Sequence, residues 1–290
     1  MPLSHKPGQY LQVSHAAMAG LAYLDLHAAT GDREFLDAAL KIAQTLKSTQ
    51  LPDGRWYFRV DAMTGKMVED YTSDQAEAIC FLDALARNHG RRELIPIVER
   101  ATQWMLSNPV KTNHWQQQWD DVGLQPPYRN LEFYDAAFFA MHLLRYATPQ
   151  NGYRQVAEDL FRYIEDQFVL WENSYNPQFI APGVQEQYLC YITIDWHAAH
   201  FIRLCMAMHQ ATGDAIYLKK AAAMADTLTV IQHADGYFPT WMRQTPAKEP
   251  ETLGTIDYSG LWPNCMSYTA EVLIKLDLYL AQQKTGSMGR

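Results

Sequence analysis

One stretch of the sequence concentrates side chains that can move protons or bind hydroxyl groups. It covers residues 185–200 and carries Gln185, Glu186, Gln187, Tyr188, Tyr191, Asp195, Trp196, His197 and His200. Glu186 and Asp195 offer carboxyl groups for acid–base work, and Tyr188 and His197 offer a second kind of proton-transfer group. Helical spacing places His197 and His200 on one face. The stretch predicts a catalytic site at the start of a helix.

Two further runs offer carboxyl groups before other helices. His114 to Asp121 is followed by Arg129, Glu132 and Asp135, and Glu69 to Asp74 precedes a helix that Ser73 is expected to cap. Asp135 and Asp70 are therefore additional catalytic candidates, although an acid in a first helical turn also stabilises the helix dipole. The acid spacing matches no strong metal signature, so neither a metal nor another cofactor is predicted.

Aromatic and polar residues in the same regions are candidates for substrate binding. Exposed aromatic rings stack on the C–H faces of sugars, and neighbouring polar groups bind hydroxyls; arginine pairs with a uronate carboxylate. Alternatively, the rings hold long loops in place, and the arginines satisfy loop acids. The predicted binding residues are Trp56, Trp115, Trp119, Arg129, Gln187, Tyr191, Trp241, Arg243 and Trp262.

The elements that position these residues follow from an internal repeat. Residues 15–54 align without a gap with residues 197–236, at an offset of 182 residues. The match includes His15 with His197 and the Thr-Gly-Asp strings that end at Asp32 and Asp214. Such self-similarity marks a supersecondary unit that stacks on its neighbours. A shared position also gives His197 a second interpretation, as a packing residue.

Helical periodicity predicts nine helices, paired as hairpins about 60 residues apart. The first helices cover about 14–29, 74–88, 132–147, 195–211 and 264–283, and the second helices about 33–50, 92–107, 151–168 and 215–232. Short turns join each pair, but the links 51–73, 108–131, 169–194 and 233–263 are long, which is typical of functional loops. Because helix direction alternates, all four links are expected on one face. The chain is predicted to be one all-α domain over residues 1–290, with a disordered tail from about 284.

Composition excludes several classes of protein. A net charge of -8 opposes nucleic-acid binding, and no apolar run is long enough for a membrane span. Four scattered cysteines, without a paired motif, predict buried free thiols. The first residues do not resemble a secretory signal, which favours the cytoplasm for a complete chain and a periplasmic or secreted location for one whose signal was removed. The sequence does not decide whether the chain forms a homodimer.

The Thr-Gly-Asp turns, with the "Gln, then Asp-Gly, then aromatic" strings at 50–58 and 232–241, resemble the six-hairpin glycosidase-like superfamily, over about residues 10–284. The resemblance implies an (α/α)6 toroid whose active site lies at the N-terminal ends of the inner helices. A full toroid of that type has twelve helices, whereas nine are predicted here. Either amino-terminal hairpins are missing, or the ring is open, or a partner completes it.

On this basis the leading expectation is a glycoside hydrolase that acts on an oligosaccharide, with uronic acid as an optional component. Hydrolysis needs an acid and a second carboxylate about 5 to 9.5 Å apart, and Glu186 and Asp135 are the first candidates. A lyase that cleaves uronates is the nearest alternative, because Tyr188 or His197 could be the base and Arg243 could neutralise the carboxylate. A sugar epimerase and a non-catalytic toroid that binds a glycan or a protein are the remaining alternatives.

Overall fold

The computed structural model describes residues 10–70, 74–115, 131–172, 180–187, 190–242 and 263–287. These residues contain nine α-helices and six short strands. Among them, no helix combines the length and the apolar composition that a membrane crossing requires. The chain divides into two compact units, Met1–His142 and Leu143–Arg290. The prediction of a single domain stays a prediction.

The first unit contains two helical hairpins, a small sheet and the start of a third hairpin. Its elements are β1 (Tyr10–Gln12), α1 (Val13–Thr30), α2 (Arg33–Thr49), β2 (Arg59–Asp61), β3 (Met67–Glu69), α3 (Ala76–Asn88), a 3-10 turn (Arg92–Leu94), α4 (Ile95–Met105), a π-helical turn (Leu106–Val110) and α5 (Tyr134–Arg145), which crosses the boundary. The strands form an antiparallel sheet in the order β1-β2-β3. The Val13 amide donates to the Phe58 carbonyl at 3.2 Å, so the first long link lies against the start of α1.

The second unit repeats this arrangement. It contains α6 (Tyr153–Phe168), β4 (Val169–Leu170), β5 (Gly183–Gln187), β6 (Cys190–Thr193), α7 (Asp195–Thr212), α8 (Ala215–Ile231) and α9 (Pro263–Ser287). The strands form an antiparallel sheet in the order β4-β5-β6, and β6 leads directly into α7. Helix α9 continues past residue 284, where a disordered tail was expected.

The sequence repeat corresponds to a structural repeat with the same offset of 182 residues. Helices α1 and α7, and α2 and α8, begin and end at equivalent positions. Asp32 and Asp214 cap α2 and α8 as predicted, each accepting a 2.9 Å bond from a backbone amide in the first turn. Gly31 and Gly213 end the preceding helices at a φ of 73°, a left-handed conformation that favours glycine.

The start of α3 differs from the prediction. The helix begins at Ala76, and Gln75 occupies the N-cap position. Ser73, the predicted cap, lies outside the described residues. The Gln75 side chain instead bridges the backbone of Trp56, accepting from its N–H at 2.7 Å and donating to its carbonyl at 3.0 Å. Asp135 of α5 accepts the Ala76 amide at 3.1 Å. A neighbouring helix thus supplies the cap, which local sequence rules do not consider.

Apolar faces of these helices form the cores of the two units. Helices α3, α5 and α7 each bury a long face in these cores. The described cysteines Cys80, Cys205 and Cys265 are free thiols, as predicted, and the last two are buried. The inner helices therefore have buried bodies, and their N-terminal ends meet the long links.

Candidate functional site

The first residue of α7 places a carboxyl group in the interior of the second unit. Asp195 is fully buried; its Oδ1 accepts the Trp196 amide at 2.8 Å, and its Oδ2 accepts the Thr269 hydroxyl of α9 at 3.0 Å. Burial disfavours the charged form and raises the pKa of Asp195 to about 7, against the opposing effect of these hydrogen bonds. Asp195 therefore exchanges a proton near neutral pH, as a general acid or base must.

The repeat shows that a carboxyl group is not required at this position for packing. The equivalent residue of α1 is Val13, which is also buried. Both helices start with the same backbone bond, from Val13 to Phe58 and from Asp195 to Thr240. An apolar residue is thus sufficient for the structure, and a buried carboxyl group, which costs desolvation energy, indicates a role other than packing.

His197 connects the start of α7 to the preceding sheet. Its Nδ1 lies 3.0 Å from the Gln185 carbonyl oxygen of β5, a contact in which the ring nitrogen donates. Burial lowers the pKa of His197 to about 4, so the imidazole is neutral at pH 7. This contact holds the strand that carries Glu186 against the helix that begins with Asp195. It favours the positioning interpretation of His197 that its repeat partner His15 suggested.

A second group of residues lines the contact between α7 and α9; the sequence named its members Trp196 and His200, but not Arg203 or Tyr268. The Tyr268 hydroxyl lies 2.9 Å from His200 Nδ1 and accepts from Arg203 at 2.7 Å. The rings of His200 and Tyr268 stack with centroids 4.4 Å apart, and the Trp196 ring packs against His200 at 4.1 Å. Burial lowers the pKa of His200 and raises that of Tyr268 to about 12. Trp196 and Tyr268 are partly exposed, so this group reaches the surface of the unit.

A sequence signal for this group did exist. Trp196, His200 and Arg203 follow helical spacing along one face of α7. Their equivalents in α1 are Ser14, Met18 and Leu21. A comparison of the two repeats position by position therefore identifies the face of α7 that differs in chemistry. Tyr268 and Thr269 lie on α9, outside the segment over which the two sequence repeats align, and only the folded structure brings them to α7.

Several predicted residues are placed only in part by the structure. Glu186 and Gln187 lie on β5 and Tyr191 on β6, where Gln185 pairs with Thr193 and Gln187 with Cys190. The side chains of these three predicted residues lie outside what the structure describes. Tyr188, Trp119, Arg129, Arg243 and Trp262 lie outside the described residues altogether.

Asp135 belongs to an acidic cluster in the first unit, which we define as Asp74, Glu77, Glu132 and Asp135. All four side chains are buried, at the N-terminal ends of α3 and α5. Burial, reinforced by the neighbouring carboxyl groups, raises the pKa of Asp135 well above its ordinary value. Burial also raises the pKa of Glu77 to about 7. Asp135 belongs to the first unit and Asp195 to the second.

Asp70 lies on the surface of the first unit as an ion-pair partner. Its carboxylate contacts Arg55, which also binds Asp53 at 3.0 Å. Arg59 is buried and pairs with Glu69 at 3.0 Å. Both arginines therefore satisfy loop acids, which is the alternative that the sequence left open.

The predicted tryptophan platforms divide into buried and partly exposed rings. Trp56 and Trp115 are fully buried, so the expectation of exposed stacking surfaces is wrong for both. The Trp56 indole donates to the Leu46 carbonyl at 2.7 Å and fixes the first long link to α2. Trp241 is half-buried, and its backbone bridges to Ile194 at the start of α7. Trp241 therefore stays a candidate for substrate contact.

Known proteins provide an independent view of the fold. No protein-family model and no curated protein matches the sequence. A solved D-mannose isomerase is similar at 15% identity, covering 93% of this chain and 72% of that chain with a TM-score of 0.68. A GH76 alpha-mannanase from Bacteroides thetaiotaomicron is similar at 16% identity, over 96% and 73%, with a TM-score of 0.63. A cellobiose 2-epimerase from Spirochaeta thermophila is similar at 12%, over 95% and 88%, with a TM-score of 0.53.

At these identities the likeness shows the fold. It is the α/α toroid fold that the hairpin turns predicted, and these likenesses do not resolve a family. Fold alone does not define an activity, since one fold carries many chemistries. Function must be inferred from the side chains at the helix ends.

Proposed function

We propose that the chain is a carbohydrate-active enzyme, and specifically a glycoside hydrolase whose acid is Asp195 and whose second carboxylate is Glu186. The observation that carries the proposal is the buried Asp195 carboxyl group, which retains its proton to about pH 7. A glycoside hydrolase needs such a group to protonate the departing sugar oxygen. The fold supports an activity on sugars because an isomerase, a mannanase and an epimerase of sugars share it.

The placement of Glu186 supports the second role. Its neighbour Gln185 binds His197, two residues after Asp195, so the backbone of Glu186 lies beside the start of α7. A carboxylate on this strand can act as a base or a nucleophile opposite an acid at the start of the helix. In this proposal His197 is a positioning residue, and the half-buried Trp196 and Trp241 contact the sugar.

Hydrolysis is tested by offering the purified chain oligosaccharides of α-linked mannose, glucans and uronate-containing polymers, with reducing sugar as the readout. We expect Asp195→Asn and Glu186→Gln each to lower kcat by at least about 100-fold while binding persists. Asp226→Asn, an exposed carboxyl variant on α8 of the same unit, is the matched control and should retain full activity. Unchanged turnover in both active-site variants would contradict the assignment. A product that absorbs in the near ultraviolet would instead identify a uronate lyase.

A second candidate, sugar isomerisation or epimerisation, is favoured by the contact of Tyr268 with His200 and Arg203. A neutral histidine beside a phenol can remove and return a proton on a carbon next to a carbonyl. This reaction exchanges that proton with solvent. Incubation of D-mannose or cellobiose in deuterated water, followed by NMR, detects it. His200→Gln and Tyr268→Phe should abolish the exchange if this candidate is correct, and hydrolysis without exchange excludes it.

A further inference from the structure

The acidic cluster of the first unit brings carboxyl groups from two inner helices to one point. Carboxylate oxygens of Asp74, Glu77 and Asp135 all lie within 4.8 Å of one another, and all three side chains are buried. Asp74 and Glu77 come from the start of α3, and Asp135 comes from the first turn of α5. Glu132 lies beside them, accepting the Tyr134 amide at 3.2 Å.

Glu77 points into this cluster, where Asp135 and the Tyr134 hydroxyl interact with its carboxyl group. Within the described part of the chain, neither carboxylate oxygen of Glu77, nor Oδ2 of Asp135, has a hydrogen-bond partner at ordinary distance and angle. The Glu77 side chain has no exposed surface. A buried carboxyl group in this condition costs several kcal/mol unless it is protonated or paired with a positive charge.

The carboxyl groups of the cluster act together on a neighbouring side chain. The groups whose charges raise the pKa of the adjacent Tyr134 are Glu77, Asp74, Asp135 and Glu132, all carboxyls. The other buried acid of α3, Asp83, is different because it pairs with Arg87 at 2.9 Å. On α3, Asp83 thus lies beside a protein cation, whereas Glu77 lies beside the carboxyl groups of Asp74 and Asp135.

We propose that Asp74, Glu77 and Asp135 bind a calcium ion. The ion joins the N-terminal ends of α3 and α5. The ligand set is all oxygen, which is typical of calcium and magnesium sites. Ca–O distances of about 2.3 to 2.6 Å accommodate ligand oxygens up to about 5 Å apart across the ion, which suits this cluster. Magnesium demands shorter distances of about 2.1 Å and retains its waters, so it fits a buried carboxylate set less well.

Direct binding is the first test, and it does not depend on any enzymatic activity. The full chain is stripped with EDTA, desalted and titrated with Tb³⁺, a luminescent substitute for Ca²⁺ that nearby aromatic rings sensitise. Tyr134 lies beside the cluster and serves as the antenna. We expect sensitised emission that about 1 mM Ca²⁺ displaces. Glu77→Gln should weaken the Ca²⁺ competition at least tenfold, whereas the matched control Asp83→Asn should leave it within twofold.

Thermal unfolding is the second test. One millimolar Ca²⁺ should raise the Tm of the stripped wild type by at least about 3 °C, and this gain should disappear in Glu77→Gln. Without Ca²⁺, Glu77→Gln should be at least as stable as the wild type, because it removes like-charge repulsion. A wild type that shows neither emission nor a Tm shift with Ca²⁺ overturns the proposal, leaving a shared proton as the neutralising charge. A Ca²⁺ response that survives in Glu77→Gln overturns it also, because the ion then binds elsewhere.

Discussion

Replacement of Asp195 by asparagine should stabilise the protein at alkaline pH and abolish the acid of the proposed reaction. Asparagine has the shape of the protonated carboxyl group, can accept the Trp196 amide, and can donate to the Thr269 hydroxyl. What the variant removes is the burial of a negative charge. The expected effect therefore depends on pH in a direction that follows from the raised pKa.

The magnitude follows from the pKa of Asp195, raised from 3.8 to about 7. Below pH 3.8 the carboxyl group is protonated in both the folded and the unfolded chain, so it contributes no penalty. As the pH rises from 3.8 to 7, only the unfolded chain loses the proton, and the folded state is progressively destabilised. At about 1.4 kcal/mol per pH unit, the penalty at pH 8 reaches about 4 kcal/mol. For a chain of 290 residues this corresponds to about 6 °C in Tm.

The assay is thermal or urea unfolding of wild type and Asp195→Asn at intervals from pH 4 to pH 8. The difference between the two proteins should be close to zero at pH 4 and should grow to several degrees in favour of the variant at pH 8. Asp226→Asn, the exposed control on α8, should change stability by less than about 0.5 kcal/mol at every pH. A stability difference between the two proteins that is the same at every pH, or a variant less stable than wild type at pH 8, would refute the assignment of a protonated, buried Asp195.

Three further predictions concern other parts of the fold. The pKa of His197 is lowered to about 4, so the folded state resists a protonation that the unfolded chain accepts near pH 6.5. The wild type should therefore lose up to about 3 kcal/mol of unfolding free energy as the pH falls from 6.5 to 4. His197→Gln should lose less over the same range, as measured by urea unfolding. Trp56→Phe should cost about 1 to 3 kcal/mol, since it removes the indole hydrogen bond to the Leu46 carbonyl and part of a fully buried ring. Glycan affinity in calorimetry should stay unchanged, and weaker glycan binding would restore the platform interpretation. Asp32→Ala and Asp214→Ala should each cost about 1 kcal/mol, because each removes an equivalent helix cap. The double variant should lose the sum of the two in chemical unfolding. Clearly unequal losses in the two single variants would count against the structural repeat.

The sequence by itself determined the helical hairpins and their repeat. Amphipathic periodicity, the aspartate caps and the glycines after the first helices are local features, each set by residues within one or two turns. They placed α1, α2, α7 and α8 to within a residue or two. The same local information predicted that the candidate site lies in the long links and at the start of α7, and it named Asp195 and His197 among the site residues.

Tertiary structure decided which side chains meet and which are exposed. The α3 cap is supplied by Asp135, 59 residues further along the chain, and the Asp195 carboxyl group binds Thr269, 74 residues away. Trp56 occurs in a loop, where aromatic residues suggest an exposed platform, but it is buried because its indole finds a backbone partner on α2. Such pairings depend on how hairpins pack against each other, and long-range packing leaves no periodic signal in a single sequence. The raised pKa values follow from the same packing, because only folding removes water from Asp195 and from the acidic cluster.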